Sequence, residues 1–278
     1  MREVDQAGGL AMIRRAAMAG SFYAGTRERL KNELLDLLEP DAPKAPALGA
    51  VAPHAGYMYS GHVAGAVYSR IPVPESVVIL GPNHTGLGAG AAIMTEGTWE
   101  TPLGQVPLDT VLGRAIREAS QALEEDELGH RREHSIEVQL PFLQARETPF
   151  SLVPICLFSQ ELSVCQDVGR AIAAGVRATG RRALVVASTD MSHYISHEAA
   201  TARDRKAIDA ILALDPEGLY QTVRKERITM CGFAPTTAML LAAKALGATR
   251  AELVRYMTSG DVNKEYDRVV GYAGILVR

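Results

Sequence analysis

Residues Ser76–His84 read SVVILGPNH, a nearly unbroken apolar run, then a Gly-Pro-Asn turn, then an imidazole. Three more runs share its character: Leu48–Ala52 (LGAVA), Ser151–Ile155 (SLVPI) and Ala183–Ala187 (ALVVA). None alternates apolar with polar residues, as a strand with one wet face would. Strands apolar on both faces belong in a parallel or mixed sheet covered by helices above and below. The intervals carry helical patterns at Gly61–Arg70, Thr110–Ser120, Ser135–Gln144 and Glu161–Ala178, then across His197–Arg224 and Pro235–Leu246. Leu253–Met257 and Ala273–Val277 close the chain as strands, and Ala91–Leu108 reads as a strand-turn-strand excursion. The pattern predicts an α/β fold: a single-domain, three-layer α/β/α arrangement around a mixed, largely parallel sheet.

Before the first run, Arg27–Leu38 places its leucines largely on one stripe, with Thr26 as a candidate N-cap and Pro40, Pro43 and Pro46 as terminators. Arg15–Gly25 is rich in small residues and reads as a loop laid across the domain, and residues 1–12 as a loose leader. The domain is therefore expected over 13–278.

At 278 residues the chain is long enough to bury a large core without disulfides. Hydrophobic residues make up 47% and charged residues 22%, which excludes a disordered chain. The 29 basic and 32 acidic residues give a net charge of −3, with no basic tract to follow nucleic acid. The pairs Arg14-Arg15, Arg131-Arg132 and Arg181-Arg182 read as solvated surface. Three cysteines without paired spacing fit a reducing, cytoplasmic compartment. No run approaches the ~20 apolar residues of a membrane helix.

The chemistry follows from position. His54 lies just past LGAVA, His84 just past SVVIL, and Asp190 and His193 just past ALVVA. Ligands of open α/β sheets bind beyond the carboxyl ends of the strands, so these side chains converge on one edge. Cys231 precedes a helix whose first turn holds Pro235, and the helix dipole there favours a thiolate, the form that binds metal. Two imidazoles and one thiolate leave coordination positions open, as a reactive metal site requires. His134 and Glu137, three apart, are either dipole-favourable residues at a helix start or pocket groups. Asp190 and His193 are either acid/base partners or groups that orient a ligand. His62 reads as structural, His130 as surface among its charged neighbours, His197 as a helix start, and Cys156 and Cys165 as core. No Walker loop, GxGxxG fingerprint, nucleophile elbow, HExxH helix or CxxC pair is present.

Seven blocks, AGSFYAG (19–25), APHAGYMYSG (52–61), ILGPNH (79–84), TPLG (101–104), EHSIEVQLPFL (133–143), STDMSHY (188–194) and TMCG (229–232), resemble in order those of the Memo family. Ala24 is a small departure from that family's more frequent GSFYPG. The resemblance implies a fold similar to class III extradiol dioxygenases. It implies metal ligation by His54, His84 and Cys231, with His134, Asp190 and His193 in the pocket. It also implies iron or copper, zinc being a third choice, and a redox function on a small molecule or a protein side chain. Radical-SAM and other proteins of the AmmeMemoRadiSam system are the implied partners. Those dioxygenases hold Fe(II) with two His and a carboxylate; a thiolate in that place is softer, so catechol cleavage does not carry over. Two alternatives use the same pocket: a non-catalytic module gripping a peptide or partner protein, and a zinc-dependent hydrolase.

Overall fold

The computed structural model describes residues 3–4 and 10–278, with side chains from 12 onward. Within the stretch expected to be a leader, β1 (Glu3–Val4) pairs antiparallel with β2 (Leu10–Ala11), while 1–2 and 5–9 lie outside the described residues. Strand β3 (Ile13–Arg14) follows, then the expected loop, then helix α1 (Arg27–Leu37). Leu30, Leu34 and Leu37 recur at helical spacing and are buried.

Strand β4 (Gly49–Ala52) leads through His54 into α2 (Tyr57–Ser69), which begins four residues before the expected start because the turn closes at Gly56. Strand β5 (Ser76–Pro82) precedes the excursion β6 (Ala91–Ile93), β7 (Thr98–Thr101) and β8 (Gly104–Pro107). Helix α3 (Thr110–Glu118) is capped by Asp109, whose carboxylate accepts from the Leu112 amide. Two short elements that the sequence pattern does not reveal come next, β9 (Glu124–Glu125) and α4 (Leu128–Arg131). The helix expected over 135–144 is instead a 3-10 turn (Glu137–Gln139) and the short α5 (Leu140–Gln144). Pro141 has no N–H to give to the carbonyl of Glu137, so an uninterrupted helix cannot form there.

The second half runs β10 (Ser151–Leu157), α6 (Leu162–Thr179), β11 (Ala183–Ser188), β12 (His193–Ile195), α7 (His197–Leu212), α8 (Pro216–Lys225) and α9 (Phe233–Ala245). It ends with β13 (Ala251–Thr258), α10 (Ser259–Asn263) and β14 (Val269–Val277). His197 does begin a helix.

The four continuous apolar runs lie at the centre in the order β4-β11-β5-β10, all parallel. Antiparallel β14 flanks β4, and antiparallel β6 flanks β10. Alternate residues of each central strand enter different cores. Val78, Leu80, Val153, Ile155 and Val185 pack with α3, α6 and α9. Val77, Ile79, Leu152, Leu184 and Val186 pack with α1, α2 and α5. Both faces are covered, which is why these runs are continuous rather than alternating. The result is the expected three-layer α/β/α fold around a mixed sheet with a parallel centre.

Two expectations of exposure fail. Arg14 is buried, ion-paired with buried Glu137, and its Nη2 donates to the Glu133 carbonyl at 2.7 Å. His130 is buried against Trp99, ring centroids 5.7 Å apart, and burial pushes its imidazole down to about 4. Arg14 is served inside the protein by Glu137 and the carbonyls of His130 and Glu133 instead of facing water. Arg15, Arg131, Arg132 and Arg182 are exposed, as expected. Cys156 and Cys165 are buried core residues; His62, on α2, is exposed.

Candidate metal centre

Strands β4, β11 and β5 are neighbours, and each loses its regular pairing two residues before a functional side chain. Their carboxyl ends present His54, Asp190 and His84 in that order. Cys231 reaches the same place from the loop between α8 and α9. Glycines let backbone approach closely at two points. A Cβ on Gly232 would collide with the Ser188 carbonyl, and one on Gly81 with the Ser135 hydroxyl. Any side chain at either position would push Cys231 or the His134 loop away from the sheet edge.

The expected ligands do come together. One ligating atom each of His54, His84 and Cys231 lie within 4.8 Å of one another. The Cys231 Sγ is 3.2 Å from His54 Nε2, and the two rings have centroids 5.1 Å apart at 78°. His54 is buried, while the His84 side chain is 35% exposed, so the cluster opens to solvent on the His84 side.

The surrounding hydrogen bonds decide which nitrogen of each ring is free. The Ser188 hydroxyl gives its only proton to the Ser135 carbonyl at 2.6 Å. It can then only accept from His54 Nδ1, 2.9 Å away, so Nδ1 carries the proton and Nε2 keeps its lone pair. The Gln139 amide also donates to Ser188, at 2.8 Å, and fixes the hydroxyl from the other side. His84 Nδ1 lies 2.9 Å from the Glu133 carboxylate, which can only accept. Nε2 of His84 is therefore free as well. The outer partners occupy Nδ1 of each ring, so Nε2 is the nitrogen that could ligate, the arrangement of the usual second layer of a metal site.

Glu133 is the hub of that layer. Its Oε1 accepts from His84 Nδ1 and from the amides of His134 and Ser135, each at 2.9 Å; its Oε2 accepts from the His84 amide at 2.6 Å. Burial alone would raise this carboxyl. The bond from His84, the adjacent His84 and His134 rings and the Ser135 amide reverse that and hold it down at about 2. Sequence reasoning misses Glu133, Ser188 and Gln139. For Glu133 the available clue is its place directly before His134 in the EHSIE block.

Electrostatics keep His54 and His134 neutral. Burial, then the His134, His84 and His193 rings, lower His54 well below its ordinary value. Burial takes His134 down to about 4. Neutral imidazoles are the form that binds a cation. Cys231 departs from expectation. Burial, then the Asp190 carboxylate, push its thiol up, outweighing the start of α9 and the Asp190 amide that donates to Sγ at 3.3 Å. A thiolate here needs a cation beside it.

The other expected pocket residues gather around this centre. The His134 ring stacks on His84 at 4.5 Å and 24°, and stands 5.2 Å from His54. Asp190 Oδ1 accepts from the His54 amide at 2.8 Å, and Oδ2 lies 4.0 Å from His54 Nε2. Burial raises the Asp190 carboxyl to about 6. His193 donates its amide to Thr229 Oγ1 at 2.7 Å, and its Nδ1 is 2.8 Å from the Thr229 carbonyl, so its Nε2 is also free. Glu137 is not at the centre; it is buried behind it with Arg14 and Tyr23. A groove of about 410 Å³, lined by Leu34, Leu35 and Leu103 with Arg27 and Lys31, shares no lining residue with the centre.

The family model for Memo-like proteins matches residues 14–276. The chain belongs to the Memo family. A MEMO1 family protein of Methanosarcina mazei is 45% identical over 267 residues, covering 95% of this chain and 99% of that protein. One from Methanopyrus kandleri is 43% identical over 281 residues, covering 96% and 99%. One from Pyrobaculum aerophilum is 43% identical over 276 residues, covering 95% and 98%. In this Memo-family chain, among the described residues, no helix is long and apolar enough to cross a membrane.

Proposed function

We propose that this chain is a metal-dependent redox protein, with one iron or copper ion held by His54, His84 and Cys231. One observation carries the reading: each imidazole has its Nδ1 committed to an acceptor, and one nitrogen of each ring lies within 4.8 Å of the other and of the Cys231 sulfur. A thiol raised by burial beside the neutral His54 imidazole is a poor arrangement for a metal-free core and a good one for a soft or borderline cation. Bound there, iron or copper would supply one-electron chemistry and open coordination positions.

The protein's own groups fit such a role. Asp190, raised to about 6, can hold or release a proton close to neutrality beside His54 and Cys231. His193 turns its Nδ1 to the Thr229 carbonyl, which leaves Nε2 as the ring nitrogen that could exchange a proton with a substrate. His134, neutral and stacked on His84, is placed to contact a bound substrate, a small molecule or a protein side chain. The partly exposed His84 gives that substrate a way in.

Elemental analysis of protein purified without oxygen or a chelating tag tests the reading. The expected result is about one iron or copper per chain, strongly reduced in His54→Ala, His84→Ala and Cys231→Ser variants with unchanged circular dichroism. Equal metal content in all four proteins would defeat it. Zinc alone, with hydrolytic turnover, would favour a hydrolase; a metal-free pocket that binds peptide would favour a binding module.

A further inference from the structure

A line of aromatic rings leaves the centre and passes through a tyrosine with a base at its hydroxyl. The His84 and His134 rings are 4.5 Å apart, and His134 to Phe22 is 4.8 Å. Phe22 is bonded in the chain to Tyr23, whose ring lies 5.5 Å from Tyr57. Tyr57 to Phe142 is 4.6 Å, and Phe142 to Tyr68 is 5.6 Å. Tyr23 is buried, and its hydroxyl donates to Glu137 Oε1 at 2.6 Å.

The hydrogen-bond partners single Tyr23 out. A buried phenol loses an electron readily only if its proton can leave at the same time. The Tyr57 hydroxyl is bound to the Val138 carbonyl and the Tyr68 hydroxyl to the Gln139 amide oxygen, neither of which is a base. Trp99 has no partner at Nε1, and the Arg14 guanidinium lies 4.4 Å above its ring, where a positive charge opposes loss of an electron. Tyr256 does donate to a carboxylate, Asp204, at 2.8 Å, but no aromatic pair among the described residues links it to the centre. Of the two described tyrosines whose hydroxyl donates to a carboxylate, Tyr23 is the one with a path. The Glu137 carboxylate is fixed in place against the phenol, because Arg14 pairs with it and the amides of Ala17 and Met18 donate to it at 2.8 and 2.9 Å.

We propose that Tyr23 and Glu137 form a redox relay that drains oxidising equivalents from the centre, sparing Cys231. The proposal rests on the redox reading above. Its oxidant is hydrogen peroxide, which takes two electrons and two solvent protons to become two waters. One electron comes from iron(II) or copper(I) and the second from Tyr23. The phenolic proton passes to Glu137 Oε1 and leaves a neutral tyrosyl radical. Without the relay, the second equivalent takes one electron from the sulfur and leaves a thiyl radical, and only further peroxide carries it on to sulfinic and sulfonic acid.

The experiment adds one equivalent of peroxide to protein loaded anaerobically with copper(I) or iron(II), followed by rapid freezing and electron paramagnetic resonance. The expected result is an organic radical signal that narrows with ring-deuterated tyrosine, persists in Tyr256→Phe and is lost in Tyr23→Phe. In D2O the wild-type radical should couple to one exchangeable deuteron, the one returned by protonated Glu137; this needs no variant. With peroxide then added in excess, mass spectrometry should find more Cys231 sulfinic and sulfonic acid in Tyr23→Phe than in wild type. Peroxide consumed with no tyrosyl signal, a signal undiminished in Tyr23→Phe, or a radical without the deuteron coupling would overturn the relay alone. No metal uptake, or no peroxide consumed, would overturn the redox reading and the relay with it.

Discussion

Replacing Glu133 by Gln removes one charge and almost no volume, and its consequence follows from four hydrogen bonds. The carboxylate accepts from His84 Nδ1, the His134 and Ser135 amides and the His84 amide. A carboxamide has only one oxygen. If that oxygen takes the Oε1 position, its NH2 faces the His84 amide; if it takes the other, its NH2 faces three donors. The better choice leaves one buried donor unsatisfied, worth about 1–3 kcal/mol, and turns three charge-assisted bonds into weaker neutral ones. The expected loss of stability is about 3 kcal/mol, measured by urea unfolding of the metal-free protein. His84 keeps its tautomer but is held less firmly, so metal affinity should fall about 10–100-fold in chelator competition, as for other outer-layer carboxylates. A Glu133→Gln protein as stable as wild type and equal in affinity would refute the assignment of Glu133 as the group that orients His84.

Other outcomes follow from the same contacts. Ser188→Ala removes the only acceptor that fixes the His54 tautomer, and metal affinity should drop about tenfold or more with little change in far-ultraviolet circular dichroism. Arg14→Met leaves buried Glu137 without its countercharge and should cost about 3–5 kcal/mol in urea unfolding; a loss below about 1 kcal/mol would show the pair to be dispensable. Metal uptake near neutral pH should release about one proton per ion, measured by titration calorimetry in buffers of different ionisation heat. The sign follows from burial. Cys231 is raised and so begins as a thiol that must lose its proton, whereas His54 is lowered and has none to lose at Nε2. Affinity should therefore rise with pH, and uptake with no proton release would contradict thiolate ligation.

The sheet is legible in the sequence because burial on both faces writes itself into a strand locally. SVVIL and ALVVA are apolar at every position after the first residue of the former, and their alternate residues do enter two different cores. His54 and His84 are legible because a turn placed straight after such a strand can only lie at the sheet edge. What escapes is whatever depends on partners far along the chain. Ser188 looks like any serine at a strand end until its contacts with Ser135 and Gln139, some fifty residues away, turn it into a pure acceptor for His54. Arg14 and His130 look solvated because their neighbours in sequence are charged, and nothing local indicates that Arg14 pairs with Glu137, 123 positions later. The helix start after Cys231 is visible, but its dipole is opposed by the burial and the Asp190 carboxylate that only the fold brings to the sulfur. Local sequence reports hydrophobic burial well and electrostatic environment poorly.

The central claim is most directly tested by X-ray absorption spectroscopy at the iron or copper edge of the loaded protein. The account predicts one sulfur scatterer and two imidazoles around the ion, with the sulfur contribution absent in Cys231→Ser. A coordination shell of nitrogen and oxygen alone, unchanged by that substitution, would contradict it.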